Sequence, residues 1–399
     1  MVVTIVVLLI LAGISLNLVL GQNGIISRAQ EARDKTEQAR INTEKSMNSL
    51  EQELSDYVNK TDSGNGGNSG SSQTTVENVV IPEGYYYVGG TKAKGLVISD
   101  NVADKELDKG KENVRRDLAG NQWVWVPVET PSSLYTTVAA GQALAGSTGV
   151  KTTKYTNTII SGQTRVKPGD TSNYREPDIL TYSGRDDTNY ATAGFSSLAN
   201  MAETMKNDYE EMIASLEKYK GFYIGRYELT ANGEKTGATQ TGITWYTLYK
   251  NCTTLASGSK VKTRMIWGLQ WDATCKWLDS SGFNITNSST WGNYSNNTAD
   301  GHESKQNTGF SESWKENNIY DFAGNCYEFT QEAYDASYRA YRGGGYNGNG
   351  SLDPASRRLN DNPTGADSFS GSRPTLYLIP WDIEAMSSKE ELKTSMTRN

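Results

Sequence analysis

An oxygen-rich turn lies between two aromatic-rich segments in residues 318–330, NIYDFAGNCYEFT. Asp321 and Glu328 are seven residues apart. Between them, Gly324 allows a close backbone approach and Asn325 tolerates the left-handed conformation. Two carboxylates that converge around exposed carbonyls suit a hard cation such as calcium. A structural turn that holds no ion fits the same spacing, so both interpretations are open.

Sulfur and imidazole chemistry have few residues to use. The cysteines are Cys252, Cys275 and Cys326, and none stands in the CxxC spacing typical of zinc or redox sites. At most one pair can form a disulfide, which leaves one thiol over. Cys275 has apolar neighbours, so we expect a buried, inert thiol there. The single histidine, His302, lies in a polar segment, which favours a solvated side chain over a catalytic one.

Hydrophobic periodicity predicts the elements that must position the turn. The segment QWVWVPV indicates a strand with its tryptophans on one face and its valines on the other, ending near Pro127. Apolar residues at helical spacing predict an amphipathic helix between Ser196 and Tyr219, followed by a strand. Shorter helices are expected at residues 243–255 and 271–278. Residues 131–195 lack periodicity, which predicts a long insertion of loops.

Several of these segments resemble motifs of the formylglycine-generating-enzyme-like (sulfatase-modifying-factor) family. The turn motif and the following RAYRGGGY are similar to the family signature. The resemblance extends over residues 80–380 through four further segments, WVWVPV, GFYIGRYE, WGLQWD and GSRP. The family has a C-type-lectin-like fold, so the resemblance implies an α+β, loop-rich head of that type. A fold does not by itself imply an activity, which must be argued from the site.

The resemblance also assigns calcium ligands to the turn. Asp321 stands where the family binds the ion through a side-chain oxygen. Gly324 and Cys326 would give backbone oxygens, and Glu328 would complete the shell. Aspartate in place of the more usual asparagine keeps a hard oxygen ligand. We expect this ion to hold the fold and to take no part in chemistry.

Catalytic members of the family carry cysteines just after the glycine-rich part of the signature. There a thiolate serves as nucleophile and as copper ligand. In this chain residues 343–353 read GGGYNGNGSLD, and no cysteine follows Cys326. We therefore expect no copper and no enzyme of this chemistry. Catalysis by aspartate or glutamate is the open alternative.

The segment 341–369 combines tyrosine, asparagine, glycine, serine, aspartate and arginine without hydrophobic periodicity. Aromatic anchors with adaptable polar neighbours are typical of adaptable binding surfaces. We expect a ligand-binding surface made by Tyr341, Tyr346, Asn347, Asn349, Leu352, Arg357, Arg358, Asn360, Asp361, Asn362 and Phe369. An ordinary set of polar loops is the alternative. The arrangement resembles the variable proteins of diversity-generating retroelements, in which a C-type-lectin-like scaffold carries a diversified C-terminal segment.

The N-terminal part of the chain has a different character. Residues Val2 to Leu20 are almost all apolar and long enough to span a bilayer, and residues 24–59 continue as a charged, weakly amphipathic helix. The pattern resembles type IV pilin-like proteins of Gram-positive bacteria, without the usual leader peptide and glutamate; a plain signal-anchor helix is the alternative.

We expect four parts: helix and stalk at 1–60, a Gly/Ser-rich linker at 61–75, the head at 76–380, and a polar tail without assigned role at 381–399.

Overall composition limits the partners of the protein. The formal net charge is −7 and basic residues form no stripe, so nucleic acid is not expected as a partner. The Gly-, Tyr- and Trp-rich composition fits a β-rich extracellular module. We therefore predict a cell-surface protein, anchored in the membrane or associated with pilin-like subunits, whose head binds an unknown protein or glycan. The alternatives are an enzyme of the same fold that uses residues other than cysteine, and a structural pilin-like filament subunit.

Overall fold

The computed structural model describes residues 74–130, 135–137, 151–153, 188–256, 260–299, 301–334 and 338–380. The predicted N-terminal helix and stalk, almost all of the linker and the polar tail lie outside these residues. Membrane anchoring, pilin-like assembly and the domain boundaries therefore stay predictions. Of the helices in the described part, none combines the length and hydropathy that crossing a membrane requires.

The described residues form a mixed α+β structure that is rich in sheet and has few helices, as predicted. Its α-helices span Leu198–Tyr219 (α1), Trp245–Cys252 (α2) and Gly268–Ser280 (α3), and short 3-10 helices span Val102–Asp104 and Glu312–Trp314. The strands β1 to β16 span, in chain order, Thr75–Val76, Val79–Val80, Tyr86–Gly89, Val97–Ser99, Gln122–Pro127, Tyr135–Thr137, Lys151–Thr153, Gly221–Gly225, Val261–Met265, Lys315–Glu316, Ile319–Tyr320, Tyr327–Ala333, Arg339–Arg342, Leu359–Asp361, Ser370–Ser372 and Pro374–Leu378.

The larger sheet has six strands in the order β3-β4-β5-β8-β16-β9, and all neighbouring strands are antiparallel. The alternation predicted for β5 is confirmed. Trp123 and Trp125 join the core cluster on one face, whereas Val124 and Val126 join the cluster on the other. β5 ends at Pro127, which has no backbone N–H to donate. The sheet therefore separates two apolar layers.

The helices contribute to the larger of these layers, which contains buried residues of α1, α2 and α3. The prediction for α1 is confirmed: the Ser197 hydroxyl accepts the N–H of Asn200 at its start, and Lys220 ends it in the left-handed region with φ 57°. α2 is shorter than expected at both ends. α3 begins three residues before Trp271, because the Gln270 side chain accepts the N–H of Trp267 and caps the first turn.

The smaller sheet has the order β14-β13-β12-β15. β12 is antiparallel to β13 and parallel to β15, and β13 is antiparallel to β14. β12 continues directly from the turn at residues 318–326, while the segment 341–369 supplies the end of β13 and the whole of β14. This sheet therefore brings the predicted calcium turn and the predicted ligand-binding segment together.

Candidate functional site

The turn at residues 318–326 has the backbone that its sequence predicts. Gly324 and Asn325 lie in the left-handed region with φ 76° and 57°, and Asp321 joins them at 54°. A Cβ on Gly324 would lie 2.1 Å from the carbonyl oxygen of Asn293, so a side chain has no room there. The Gly324 N–H donates to the carbonyl of Gly343 at 2.8 Å. The turn is thereby fixed to the start of the predicted binding segment.

Glu328 is engaged by an arginine. The Nε of Arg373 lies 3.1 and 3.0 Å from its two carboxylate oxygens, and Nη2 donates to Oε1 at 2.7 Å. Both residues are buried. Arg373 also donates to the carbonyls of Gly225 and Tyr320 at 3.0 and 2.8 Å. One guanidinium therefore joins β12 to the six-stranded sheet and to the start of the turn.

Glu228 binds the turn, a role that was not predicted from the sequence. Its Oε1 accepts the N–H of Cys326 at 2.9 Å, and its Oε2 accepts the side-chain amide of Asn325 at 2.6 Å. The Thr239 hydroxyl donates to the same Oε2. Glu228 stands at the end of the segment GFYIGRYE, which carried the family resemblance. Its position in that motif was the available signal, but its partners in the turn are 97 and 98 residues away along the chain.

Asp321 is partly satisfied by its neighbours. Its Oδ2 accepts the Thr308 hydroxyl at 2.9 Å and the N–H of Gly309 at 2.7 Å. Its Oδ1 is buried and has no hydrogen-bond partner among the described residues. Three of the four residues predicted as calcium ligands thus lie in the turn, and Glu328 follows on β12. Both oxygens of Glu328 and one oxygen of Asp321 face protein groups.

The oxygens of these residues do not form the shell of six to eight oxygen ligands that calcium prefers. The two oxygens of Glu328 face Arg373, and one oxygen of Asp321 holds Gly309 and Thr308. In the part of the chain that the structure describes, no group of three or more His, Cys, Asp or Glu residues is placed to hold a metal ion. The motif predicts a calcium ion that this arrangement of oxygens does not favour, and a titration described below decides between the two.

Five buried carboxyl groups surround Arg373, and we call this set the acid-rich network: Glu228, Glu234, Glu316, Asp321 and Glu328. Burial raises the pKa of Glu328 to about 7 and that of Asp321 to about 6, although Arg373 opposes the rise. Burial also raises the pKa of Glu228 well above its usual range, and the charges of Asp321 and Glu328 add to the effect. Carboxyl groups in this network therefore take up protons closer to neutral pH than exposed carboxyl groups do.

A second buried set, the balanced network, consists of Asp272, Glu332, Arg342 and Arg358. Arg342 Nη2 lies 2.8 Å from Asp272 Oδ1, and Arg342 Nη1 lies 3.9 Å from Glu332 Oε2. Arg358 pairs with the other oxygen of Glu332. Arg342 also donates to the carbonyls of Ser356 and Arg357 at 3.0 and 3.1 Å. This network fixes the backbone beneath the predicted binding segment.

The structure places the two predicted ligand-binding arginines in the interior. Arg358 is 2% exposed, pairs with Glu332 and lies 4.5 Å from the centre of the Tyr334 ring. Arg357 is 7% exposed and pairs with Asp353 at 2.7 Å. A long cationic side chain in a polar segment has the same sequence signature whether it faces solvent or a buried carboxylate. The contacts of these two arginines are structural.

The other predicted binding residues are at least partly accessible. Asn347 and Leu352 are exposed, and the half-buried ones are Tyr341, Tyr346, Asn349, Asn360, Asp361, Asn362 and Phe369. Asn360 and Asp361 lie on β14, an edge of the smaller sheet. Burial raises the pKa of Asp361, and the nearby Asp367 adds to the effect. These nine residues lie in one segment of the chain and are the part of it that contributes to the protein surface.

An aromatic cluster lies beneath this surface, and two of its rings, Tyr341 and Phe369, are partly accessible. The ring of Tyr327 is 4.6 Å from that of Tyr341 and 6.1 Å from that of Phe369, and the ring of Phe329 is 5.9 Å from Tyr341. The N–H of Tyr346 donates to the carbonyl of Asn325 at 3.0 Å, which attaches the next loop to the turn. Tyr327 had no predicted surface role, because its neighbours come together only through the pairing of β12 with β13 and β15.

The three cysteines are buried free thiols. Burial raises the pKa of Cys275 and of Cys252, which keeps both in the unreactive thiol form. Burial likewise raises the pKa of Cys326, and the charge of Glu228 adds to the effect. The expectation of a buried, inert thiol at Cys275 is confirmed.

Solved structures that are similar to part of the chain include the following three. Treponema denticola variable protein 1 is 16% identical, with 40% of this chain and 85% of that chain covered and a TM-score of 0.29. CarF is 13% identical, with 40% and 87% covered and a TM-score of 0.32. PvdO from Pseudomonas aeruginosa is 17% identical, with 40% and 82% covered and a TM-score of 0.30. Neither a protein-family model nor a curated protein matches the chain. Similarities at this level do not define an activity or a ligand.

Proposed function

We propose that this protein is a cell-surface ligand-binding protein with a catalytically silent, C-type-lectin-like head of the formylglycine-generating-enzyme-like type. In this proposal the N-terminal apolar helix anchors it in a membrane or in a pilin-like assembly. The head presents the aromatic cluster and its neighbouring loops to a protein or glycan. The order of motifs along the chain and the mixed α+β structure support the fold assignment.

One observation carries the proposal: segment 341–369 separates into a buried frame and an accessible surface. Arg342, Arg357 and Arg358 are buried and bonded to acids or carbonyls. Aromatic and amide side chains between them are partly or fully accessible. A rigid frame holds binding residues in place and lowers the entropy lost on binding. The same frame would tolerate changes of the accessible residues, as diversification by a retroelement requires.

The contacts of the cysteines and carboxylates support a non-catalytic role. The acidic residues of both networks are at most 2% exposed. Most of their carboxylates accept hydrogen bonds from arginines, backbone N–H groups or hydroxyls. The cysteines are buried thiols with raised pKa values. A nucleophile or general base needs access to a substrate and a pKa matched to its task.

A binding screen with matched variants tests the proposal. The full chain, in a non-ionic detergent, is applied to glycan and protein arrays. Tyr346→Ala and Phe369→Ala are compared with Tyr86→Ala, a half-buried tyrosine on β3 of the other sheet. We expect specific hits that the first two variants lose and the control keeps, with melting temperatures within about 2 °C of the parent since these side chains are partly exposed.

Two results would contradict the proposal. Hits that persist in both surface variants would place the ligand elsewhere on the protein. A folded chain that binds nothing on either array would favour a structural filament subunit.

A further inference from the structure

A cavity lies apart from the proposed binding surface, and none of the residues 341–369 lines it. It lies between the second half of α3, the turn after β3 and the chain that follows β5, and its volume is about 660 Å³. Cavities of about 300–1,000 Å³ are typical of sites for small organic ligands. None of its lining residues belongs to the two buried networks. The cavity is therefore independent of the binding surface proposed above.

The inner lining is apolar. Trp277 and Val128 line the cavity and are each only 7% exposed, and Ala273 and Pro127 extend this lining. An indole beside a proline and a valine offers a flat apolar surface that matches a ring. A ligand with an apolar ring would bury this surface.

The walls of the cavity are fixed by hydrogen bonds. Asn317 donates to the Ser281 hydroxyl at 2.8 Å, which attaches the end of α3 to the turn before residue 318. Asn318 donates to the carbonyls of Gly95 and Lys94 at 2.8 and 3.2 Å. The Val128 N–H donates to the carbonyl of Lys220 at 2.8 Å. The cavity is thus preformed, which lowers the cost of binding.

The rim carries an excess of positive charge. Three lysines and two glutamates line the cavity, so its formal charge is 3 − 2 = +1. Both glutamates are engaged by one lysine: Glu129 pairs with the Lys92 ammonium at 2.8 Å, and Glu77 accepts the Lys92 N–H at 2.7 Å. Lys94 is exposed and, within the described ranges, has no ion-pair partner. Lys276 lies on the same rim.

We propose that this cavity binds a small organic anion. Its apolar ring lies against Trp277 and Pro127, and its carboxylate or sulfonate faces Lys94 and Lys276. The apolar lining and the cationic rim together favour an anion over the other charge classes: a cation would be repelled by the lysines, and a neutral ring would gain nothing from the charge of Lys94. This inference goes beyond the surface recognition proposed above.

Three water-soluble probes that share one ring test the charge preference. The full chain, in a non-ionic detergent, is titrated with 2-naphthoate, 2-naphthalenemethanol and 2-naphthylmethylammonium, with detergent alone as the blank. Saturation-transfer NMR gives each dissociation constant. We expect 2-naphthoate to bind about fivefold to tenfold more tightly than the alcohol, because one or two exposed charge pairs are added. Equal binding of the three probes, or no saturable binding of 2-naphthoate, overturns the proposal.

Variants locate the site. Lys94→Glu should weaken 2-naphthoate binding by about fivefold or more, whereas Lys105→Glu, an exposed lysine outside the cavity, should not change it. Trp277→Leu should weaken all three probes. Tyr346→Ala, which tests the other surface, should leave them unchanged. Equal effects of Lys94→Glu and Lys105→Glu, or unchanged binding in Trp277→Leu, would overturn the assignment to this cavity. Far-UV circular dichroism confirms that each variant is folded.

Discussion

Glu328 and Glu332 lie on the same strand, β12, and both are completely buried, yet they belong to opposite kinds of environment. Glu328 belongs to the acid-rich network, where five carboxyl groups surround Arg373. Glu332 belongs to the balanced network, where two acids meet two arginines. Burial raises the pKa of each to about 7. Two glutamates at the same depth therefore each pair with an arginine, but Glu328 shares its arginine with four further carboxyl groups, whereas acids and arginines around Glu332 are equal in number.

The largest expected effect comes from removing the central arginine of either network. Arg342→Ala leaves Asp272 without its guanidinium, and Arg373→Ala leaves Glu328 and two carbonyls without theirs. Breaking a buried pair in this way costs about 3–5 kcal/mol. Urea unfolding of each full-length variant measures the loss. Since the acid-rich network can take up protons, the cost of Arg373→Ala should be smaller at pH 5 than at pH 8. An Arg373→Ala protein as stable as the parent at pH 8 would remove the basis of the comparison.

A smaller effect, opposite in sign between the networks, comes from neutralising one acid in each. Both oxygens of Glu316 are buried without a hydrogen-bond partner among the described residues, and burial raises the pKa of Glu316 well above its usual range. Glu316→Gln should therefore leave stability unchanged or raise it at pH 8. Glu332→Gln removes the negative partner of Arg358 and should cost about 1–3 kcal/mol. Denaturant midpoints at pH 8 measure both. Equal destabilisation by the two substitutions would contradict the distinction.

The pH dependence of stability follows from the raised pKa values. A carboxyl group whose folded pKa lies above its unfolded value of about 4.3 binds more protons in the folded protein, so stability falls as pH rises between the two values. For Asp321 and Glu328 this window ends at about pH 6 and about pH 7. The melting temperature should therefore be several degrees higher at pH 5 than at pH 8, with Glu316→Gln reducing the difference. A melting temperature that rises steadily from pH 5 to pH 8 would show that these groups are charged in the folded protein.

The smallest expected effect is that of calcium. Because the turn's carboxylates already hold Arg373, Thr308 and Gly309, adding calcium or EDTA should change the melting temperature by less than about 2 °C. Differential scanning fluorimetry of the full chain measures this, with Asp321→Ala and Glu328→Ala beside it. A clear rise with calcium that both substitutions abolish would establish the ion that the motif predicts.

Much of the framework could be predicted from local signals. The tryptophan and valine alternation of β5 and the helical periodicity of α1 arise from residues within one element, so each is readable where it stands. The left-handed Gly324 and Asn325 follow from residue type. The start of α3 could not be predicted in this way, because a side-chain cap from Gln270 extends the helix beyond its apolar stripe.

The main elements and the conformation of the turn could be predicted from the amino-acid sequence because each depends on neighbours along the chain, whereas the α+β class was implied by the resemblance of several motifs to a known family. The contacts of the charged side chains, in contrast, arise from the tertiary fold. Glu228, Glu328 and Arg373 come from three distant segments, and Arg358 meets Glu332 only when β12 and β14 flank β13 in one sheet. Whether an arginine or a carboxylate faces a ligand, an ion or a buried partner depends on that three-dimensional arrangement. Burial and pairing of charge are properties of the fold, and no residue type or spacing specifies them.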